Sequence, residues 1–229
     1  MFPTNTVWLL ENKKKKIAES GNEIATHSDL HQLAYQQNRI AFAEDLKRSI
    51  ESLEGITGKK IRAYRAPGFS LMESNKWVFS ELIKQGIEID CSIFPAKRAH
   101  GGFANFGQQE PCWVDVDGHK LKEFPINVTS MAGLPVIFSG GGYFRLLPDA
   151  ILAKLWDQQK YVMTYFHPRD FDAGQPMIQD LSMIRKFKSY YGLAGALSKL
   201  ERLMIGREFI DLVEADQKVN WEKARTVYL

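Results

Sequence analysis

Two hydrophobic periods alternate along the chain, one typical of amphipathic helices and the other of short, buried strands. Phe42, Leu46, Ile50 and Leu53 repeat at helical spacing, and two glycines follow where such a helix would end. By the same criteria, helices are predicted over 9–20, 42–53, 74–85, 149–159 and 178–204. Short apolar runs predict strands over 23–26, 61–65, 87–92, 121–125, 135–138, 161–167 and 208–213.

The alternation of strands and helices favours an α/β fold with a mainly parallel sheet. The segment 94–118 is rich in glycine, proline and aromatic residues and predicts a long surface loop. The sequence contains no internal repeat or linker, so we expect a single domain over residues 1–229. Catalytic groups in such folds gather at the carboxyl ends of the strands. Four polar residues stand at the ends of predicted strands here, namely His27, Arg65, Asp90 and His167.

The stretch His27-Ser28-Asp29-Leu30-His31 places two of the five histidines four residues apart, just after a predicted strand. Two neutral imidazoles suit zinc or a similar late transition metal. A catalytic site of this kind would also need a third ligand and an open position. The pair therefore predicts the first half of a metal site, and two surface histidines without a ligand are the alternative interpretation.

The amino-acid composition limits the classes of protein to which this chain can belong. Hydrophobic residues make up 45% and charged residues 25% of the 229 residues, and the net charge is +3. The longest basic run, 13–16, is interpreted as the solvated face of a helix, so no nucleic-acid partner is expected. Two cysteines make no disulfide framework, and Cys91 is expected to be a buried thiol. Without a secretory signal or an apolar run of membrane-spanning length, we expect a cytoplasmic protein with no membrane span.

Four strand-end motifs together resemble the polysaccharide deacetylase family, the NodB-homology group of carbohydrate esterases. They resemble its H-[S/T]-x-x-H, R-x-P, D-S-S and late histidine motifs and stand at 27–31, 65–69, 90–95 and 165–168. The D-S-S motif is that of one bacterial subgroup, which is linked to exopolysaccharide or O-antigen synthesis. The segments 139–148 and 170–172 also look like that subgroup. The resemblance covers nearly the whole chain.

The resemblance implies a distorted (β/α) barrel of the NodB type. It implies a metal-dependent hydrolase that removes acetyl groups from N-acetylated (or O-acetylated) sugars of a bacterial polysaccharide or its precursor. His27 and His31 would hold the divalent metal, with Zn²⁺ expected and Co²⁺, Ni²⁺ or Mn²⁺ as alternatives. The metal would polarise the acetyl carbonyl and lower the pKa of a bound water.

The same resemblance implies roles for the other motif residues. His167 would be the general acid that protonates the leaving amine. Arg65 presents a rigid, permanently charged fork and would hold a carboxylate in place. Asp90 would orient either His167 or Arg65, and the sequence leaves both open.

Substrate-binding residues are expected in two loops. Pro67 would shape the turn that follows Arg65. Gly141 and Gly142 would allow a tight backbone passage beside a sugar-binding groove, and Tyr143 would stack on a sugar ring. A phosphate loop is not expected there, because no Lys-Ser/Thr pair follows the glycines.

The family's first motif, an early strand with two acidic residues, is absent from this sequence. It would supply the base and the third metal ligand, so one βα unit is expected to be missing. Asp29, or an acidic residue of another chain, could complete the metal site. The exposed sheet edges expected from this gap favour a homodimer, a strand contributed by other residues, or a start codon further upstream.

The alternative function is a non-catalytic, deacetylase-like scaffold that binds a glycan or a biosynthetic partner. The missing acidic pair separates this interpretation from the enzyme. A serine hydrolase is disfavoured, because the chain contains no G-x-S-x-G.

Overall fold

The computed structural model describes residues 16–19, 21–98, 101–131 and 133–229. The chain divides into two compact units. We call Phe2–Pro125 together with Ile210–Leu229 the sheet unit, and Ile126–Phe209 the helical unit. A single functional domain over 1–229 stays a prediction.

Seven strands lie in the described residues, and five of them form the sheet of the sheet unit in the order β1-β2-β4-β3-β7. The strands are β1 (Ala63–Tyr64), β2 (Ile89–Asp90), β3 (Cys112–Val116), β4 (His119–Glu123), β5 (Thr129–Met131), β6 (Leu134–Val136) and β7 (Thr226–Tyr228). Pairs β1–β2, β2–β4 and β3–β7 are parallel, whereas β3–β4 is antiparallel. The mainly parallel sheet is therefore confirmed. In the helical unit, β5 and β6 form an antiparallel pair.

The helices that the structure bounds are α1 (Arg39–Thr57), α2 (Trp77–Lys84), α3 (Gly141–Leu146), α4 (Asp149–Asp157), α5 (Met183–Tyr190), α6 (Leu193–Met204) and α7 (Leu212–Lys218). Helix α1 begins where the Asn38 side chain accepts a hydrogen bond from the Ala41 amide. It ends at Gly58, whose left-handed φ of 64° suits a glycine after a helix. Residues 16–19 are also helical, whereas 9–15 and residue 20 of that predicted helix lie outside the described residues.

Each unit has its own hydrophobic core. In the sheet unit, Phe42 and Leu46 of α1 and Leu82 of α2 are completely or almost completely buried in a cluster with residues of β3 and β4. In the helical unit, the core cluster contains Phe138 and Trp156. Helix α5 adds no buried residue to that core, and three of its apolar side chains are exposed: Met183, Ile184 and Phe187.

The predicted surface loop over 94–118 is wrong in two places. Strand β3 lies inside it and pairs with β4 through a turn at Asp117 and Gly118, which have φ values of 53° and 83°. Asp-Gly between two extended runs favours a hairpin, so the signal was present in the sequence. Phe103 and Phe106 are buried, so this part packs into the core instead of covering it.

Three predicted strands also differ from the structure. The predicted strand 208–213 is wrong, because Asp211 caps α7 by accepting a hydrogen bond from the Glu214 amide. The predicted strands 23–26 and 161–167 are reduced to single bridges, Thr26 with Tyr64 and Gly140 with Tyr165. The helical region 178–204 consists of the two helices α5 and α6.

Both cysteines are free and buried, as predicted for Cys91. Burial raises the pKa of Cys91 and of Cys112 to about 12, so both thiols stay protonated at neutral pH. Within the described part of the chain, no helix has both the length and the apolar character that crossing a membrane requires.

Candidate active site

His27 lies at the edge of the sheet, one residue beyond the bridge between Thr26 and β1. The Thr26 amide donates to the Ala63 carbonyl over 2.9 Å, and the Thr26 carbonyl accepts from the Arg65 amide over 3.0 Å. The His27 Nδ1 atom lies 2.5 Å from the Arg65 carbonyl oxygen. Because a carbonyl only accepts, Nδ1 carries the proton and Nε2 keeps its lone pair. This is the arrangement that orients metal-binding histidines.

The environment of His27 keeps its ring neutral. The residue is only 8% exposed, and burial lowers the pKa of His27 to about 3. His31 lies beside it, with the two ring centroids 5.0 Å apart and the rings at 71°. The structure thus brings the two predicted metal ligands together, one buried and one exposed.

The backbone of the 27–31 motif is strained and held from α1. Ser28 and His31 have positive φ values of 71° and 56°, which are uncommon outside glycine. The Ser28 hydroxyl accepts a hydrogen bond from the His31 amide over 2.9 Å. The Asp45 carboxylate accepts from the Asp29 and Leu30 amides over 3.0 and 2.9 Å. Asp45 therefore fixes the loop that carries both histidines.

Asp45 was missed in the sequence analysis. It lies among Phe42, Leu46 and Ser49 on the buried face of α1 and is 3% exposed. A carboxylate on an apolar helix face is a signal that sequence reasoning can use, because a buried charge requires hydrogen-bond donors nearby.

Replacing Asp45 with alanine is expected to lower the free energy of unfolding by about 2–4 kcal/mol, because two amides lose their acceptor and the strained loop loses its anchor. Denaturant unfolding followed by circular dichroism measures this change. Glu44→Ala, an exposed carboxylate on the same helix, is the matched control and should change the free energy by about 0.5 kcal/mol or less. Equal effects of the two variants would contradict the anchoring role.

Two nitrogen ligands fit a divalent metal such as zinc, and the chemistry of His27 and His31 meets that requirement. Among the described residues, no group of three His, Cys, Asp or Glu side chains is arranged to hold a metal ion. Asp29, an alternative third ligand, has its carboxylate 3.3 Å from the Arg48 guanidinium. The described part of the chain thus offers two ligands.

Arg65 and Pro67 follow β1 in the same unit. The Arg65 Nε atom donates to the Cys91 carbonyl over 3.2 Å, and its guanidinium carbon lies 5.9 Å from the Phe69 ring centroid. Pro67 is buried and opens the 3₁₀ turn Pro67–Phe69. Its fixed φ suits the first position of such a turn, and its predicted part in substrate binding stays a prediction.

Asp90 ends β2 and is completely buried. Its carboxylate accepts a hydrogen bond from the Ser92 hydroxyl and hydrogen-bonds with Glu123, its register partner on β4. Burial raises the pKa of Asp90 to about 6, although the bonds from Glu123 and Ser92 favour the charged form. A role for Asp90 in catalysis stays a prediction, and its burial means that it would act through other groups.

His167 belongs to the helical unit, where Asp170 holds it. The His167 amide donates to the Asp170 carboxylate over 2.9 Å, and the ring Nδ1 lies 3.6 Å from the same oxygen. The His167 side chain is 32% exposed, so the ring is open to solvent on part of its surface. A carboxylate beside Nδ1 is a common means of orienting a histidine that exchanges protons.

Arg145 of α3 is buried and binds Asp170, the residue that holds His167. Its guanidinium donates to the Asp170 carboxylate and to the carbonyls of Tyr191 and Lys188, over 3.0 and 2.7 Å for the latter two. Burial would raise the pKa of Asp170, but its hydrogen bonds with His167 and the charge of Arg145 outweigh burial and hold the pKa below the usual value. Arg145 and Asp170 were not predicted as site residues and stand only within the segments 139–148 and 170–172, which resemble the bacterial subgroup.

The glycine segment precedes α3 in the helical unit. Gly140 pairs with Tyr165, and a Cβ atom at Gly140 would lie 1.6 Å from the Tyr165 carbonyl oxygen. Gly141 has a left-handed φ of 59°, and a Cβ at Gly142 would lie 3.2 Å from a backbone oxygen. The backbone passage is therefore tight at Gly140 and close at Gly142, and the predicted part of Gly141 and Gly142 beside a sugar-binding groove stays a prediction. Tyr143 is 42% exposed, and its contact with a sugar stays a prediction.

The predicted site residues thus fall into two groups. His27, His31, Arg65, Pro67 and Asp90 lie in the sheet unit. The others lie in the helical unit: Gly141, Gly142, Tyr143 and His167.

Solved structures show what class of fold this is. A candidate polysaccharide deacetylase from Mycobacterium smegmatis matches with a TM-score of 0.61 and 19% identity, over 99% of this chain and 73% of its own. A 4-alpha-glucanotransferase from Thermococcus litoralis matches with a TM-score of 0.60 and 11% identity, over 96% and 32% of the two chains. The PuuE allantoinase matches with a TM-score of 0.50 and 12% identity, over 93% and 60%. The chain thus has a mixed α/β fold that resembles the barrel structures of polysaccharide deacetylases.

Family comparisons identify the chain more closely. Residues 3–87 match the polysaccharide deacetylase family, and residues 91–217 match a domain of unknown function, DUF3473. The chain therefore belongs to the DUF3473 family, whose model matches more than half of its length, and its first part, 3–87, matches the polysaccharide deacetylase family. A comparison with curated proteins finds no match.

Proposed function

We propose that this chain is a metal-dependent hydrolase that removes acetyl groups from N-acetylated or O-acetylated sugars of a bacterial polysaccharide or its precursor. The observation that carries the proposal is the neutral, oriented His27 beside His31. The match of residues 3–87 to the polysaccharide deacetylase family supports an acetylated sugar as the substrate class. The proposal includes a distorted (β/α) barrel as the scaffold of the site.

His27 and His31 would hold the metal, with zinc the expected ion. When bound, the metal supplies Lewis-acid polarisation of the acetyl carbonyl and a water of lowered pKa. The chain's own residues position the substrate and move the proton. The planar guanidinium group of Arg65 is always charged and presents several N–H donors, with which it holds a carboxylate in place.

His167 is the proposed general acid. Its ring donates a proton to the sugar nitrogen, or to the sugar oxygen of an O-acetyl group, as the bond to the acetyl carbon breaks. The Asp170 carboxylate beside Nδ1 stabilises the protonated ring before the transfer. Arg145, by pairing with Asp170, keeps that carboxylate in place.

The activity is tested by incubating the zinc-loaded chain with N-acetylated oligosaccharides and with O-acetylated polysaccharide, and by measuring released acetate. Acetate release that is lost in His27→Ala supports the proposal. A zinc-bound chain that releases no acetate from either class of substrate would refute it.

A scaffold that binds glycan without catalysis is the second candidate, favoured by the two-ligand site in the described residues. Metal retention separates the two candidates. After zinc loading and desalting, the enzyme proposal expects about one zinc per chain, since a catalytic zinc site holds one ion through several protein ligands.

In the same measurement, His27→Ala and His31→Ala should each retain no zinc. His119→Ala, which removes an exposed histidine from β4, should retain it and serves as the matched control. If the unmodified chain retains no zinc, the scaffold is favoured. If all three variants retain it, the ligands have been assigned wrongly.

A further inference from the structure

A chain of hydrogen bonds links the buried Asp90 to His27, one of the two proposed metal ligands. It begins at the buried Asp90 carboxylate, which accepts from the Ser92 hydroxyl. The Ser92 hydroxyl oxygen accepts in turn from the Ala66 amide over 2.7 Å. Ser92 is completely buried and Ala66 is 1% exposed, so no competing water reaches these links.

The next link is a single peptide group, the one between Arg65 and Ala66. Its N–H is the donor to Ser92, and its carbonyl oxygen is the acceptor for Nδ1 of His27, 2.5 Å away. Every donor in the series therefore points toward Asp90. A negative charge at one end of such a series polarises each bond in turn, and its influence is strong in a dry interior.

The Asp90 carboxylate has a second partner on the neighbouring strand. Asp90 and Glu123 are register partners on the parallel strands β2 and β4, and both are completely buried. Neither Oδ2 of Asp90 nor Oε2 of Glu123 accepts a hydrogen bond from an N–H or O–H group of the residues that the structure describes. Two buried carboxyl groups that face each other can interact favourably only when one of them is protonated, so the pair holds one proton.

Glu123 is the protonated member of this pair. Its other oxygen accepts from the Ile93 amide over 3.1 Å. Burial and the charge of Asp90 raise the pKa of Glu123 well above its usual value, with Cys91 and Cys112 also facing it. Asp90 receives bonds from Ser92, Glu123 and two backbone amides, all of which favour its charged form. At neutral pH the pair is thus a neutral acid bonded to an anion.

We propose that Asp90 is a positioning residue for His27, which it orients through Ser92 and the 65–66 peptide group, and that the neutral Glu123 beside it leaves the negative charge on Asp90. The inference rests on the proposed function insofar as His27 is a metal ligand. Outer hydrogen-bond partners of metal-binding histidines fix the tautomer and strengthen the ligand. Here the partner is a carboxylate that acts across a serine and a peptide group.

The test compares three variants, of which two change different parts of the hydrogen-bond chain between His27 and Asp90 and the third changes Glu123 beside it. Ser92→Ala removes the link between the peptide group and Asp90. Asp90→Asn keeps the shape and removes the charge. Glu123→Gln keeps a donor toward Asp90 and an acceptor for the Ile93 amide, so it is the matched control. Zinc affinity of each folded variant is measured by competition with a chromogenic chelator.

Zinc affinity should fall about tenfold in Ser92→Ala and in Asp90→Asn, the lower end of the range for lost outer partners of a metal ligand. Glu123→Gln should stay within about twofold, because the bonds to Asp90 remain. If Ser92 and Asp90 acted only by stabilising the fold, the variants with the lowest melting temperatures would have the lowest zinc affinities. Wild-type affinity in both Ser92→Ala and Asp90→Asn would overturn the proposal.

A second readout requires neither metal nor activity. Nitrogen-15 NMR of the metal-free chain reports which ring nitrogen of His27 carries the proton. The proposal expects a pure Nδ1–H form in the unmodified chain and in Glu123→Gln, and a mixture with Nε2–H in Ser92→Ala. The same form in all three chains would overturn it. If the expected NMR and zinc results occur and no acetate is released, the positioning role stands and the proposed activity fails.

Discussion

Replacing His167 with alanine is expected to lower the rate of acetate release by about 10²–10⁴-fold, the usual contribution of a general acid. The reason is that the leaving nitrogen would depart as a poor, unprotonated leaving group. Zinc retention should not change, since His27 and His31 are the proposed ligands. The measurement is steady-state acetate release from an N-acetylated oligosaccharide, beside zinc analysis of the same preparations.

His119→Ala is the control for a lost imidazole, because His119 is exposed on β4. It should keep full activity. Parallel loss of zinc and turnover in His167→Ala would mean that His167 is a ligand and has been given the wrong role. Unchanged turnover would remove it from the reaction altogether.

Gly140→Ala is expected to lower the free energy of unfolding by about 3 kcal/mol or more, and the variant is expected to accumulate poorly in soluble form. The added Cβ atom would lie 1.6 Å from the Tyr165 carbonyl oxygen, and backbone cannot move aside as the end of a flexible side chain can. The bridge between Gly140 and Tyr165, two residues before His167, would have to open. Thermal and denaturant unfolding measure the change.

Gly195→Ala provides the matched control in the same unit. Gly195 lies inside α6, and a Cβ atom there meets nothing within 4 Å. The substitution should raise the free energy of unfolding by about 0.5–1 kcal/mol, because alanine loses less conformational freedom in a helix. A Gly140→Ala variant as stable as Gly195→Ala would show that the close passage is absent.

Several features of the site followed from residues alone. The spacing of His27 and His31 predicted an imidazole pair, and their rings lie side by side. Strand periodicity placed Arg65 and Asp90 at or next to the ends of neighbouring strands. These inferences succeed because they depend on local geometry. Strand ends and the spacing of two side chains along the sequence both depend on only a few neighbouring residues.

The supporting residues could not be read in the same way. Arg145 and Glu123 act through partners far away in the sequence, and polarity alone does not distinguish a buried charged side chain from a solvated one. The apolar helix face around Asp45 signals burial, but it does not show which amides the carboxylate binds. The helical pattern over 178–204 likewise left open which face would be buried, and Met183 and Ile184 of α5 are exposed. Periodicity shows that a helix has an apolar side, but it does not show what that side faces.

By itself, the sequence determined the α/β class, the histidine pair, the glycine end of α1 and the turn at Pro67, because each depends on backbone preferences within a few residues. Only the tertiary structure decided the partners of those residues. Parallel pairing of β2 with β4 set Asp90 against Glu123, and the bridge from Thr26 to β1 set Nδ1 of His27 on the Arg65 carbonyl. Proton positions in the site follow from these contacts, since burial and hydrogen-bond partners, not residue type, set the charge of each group.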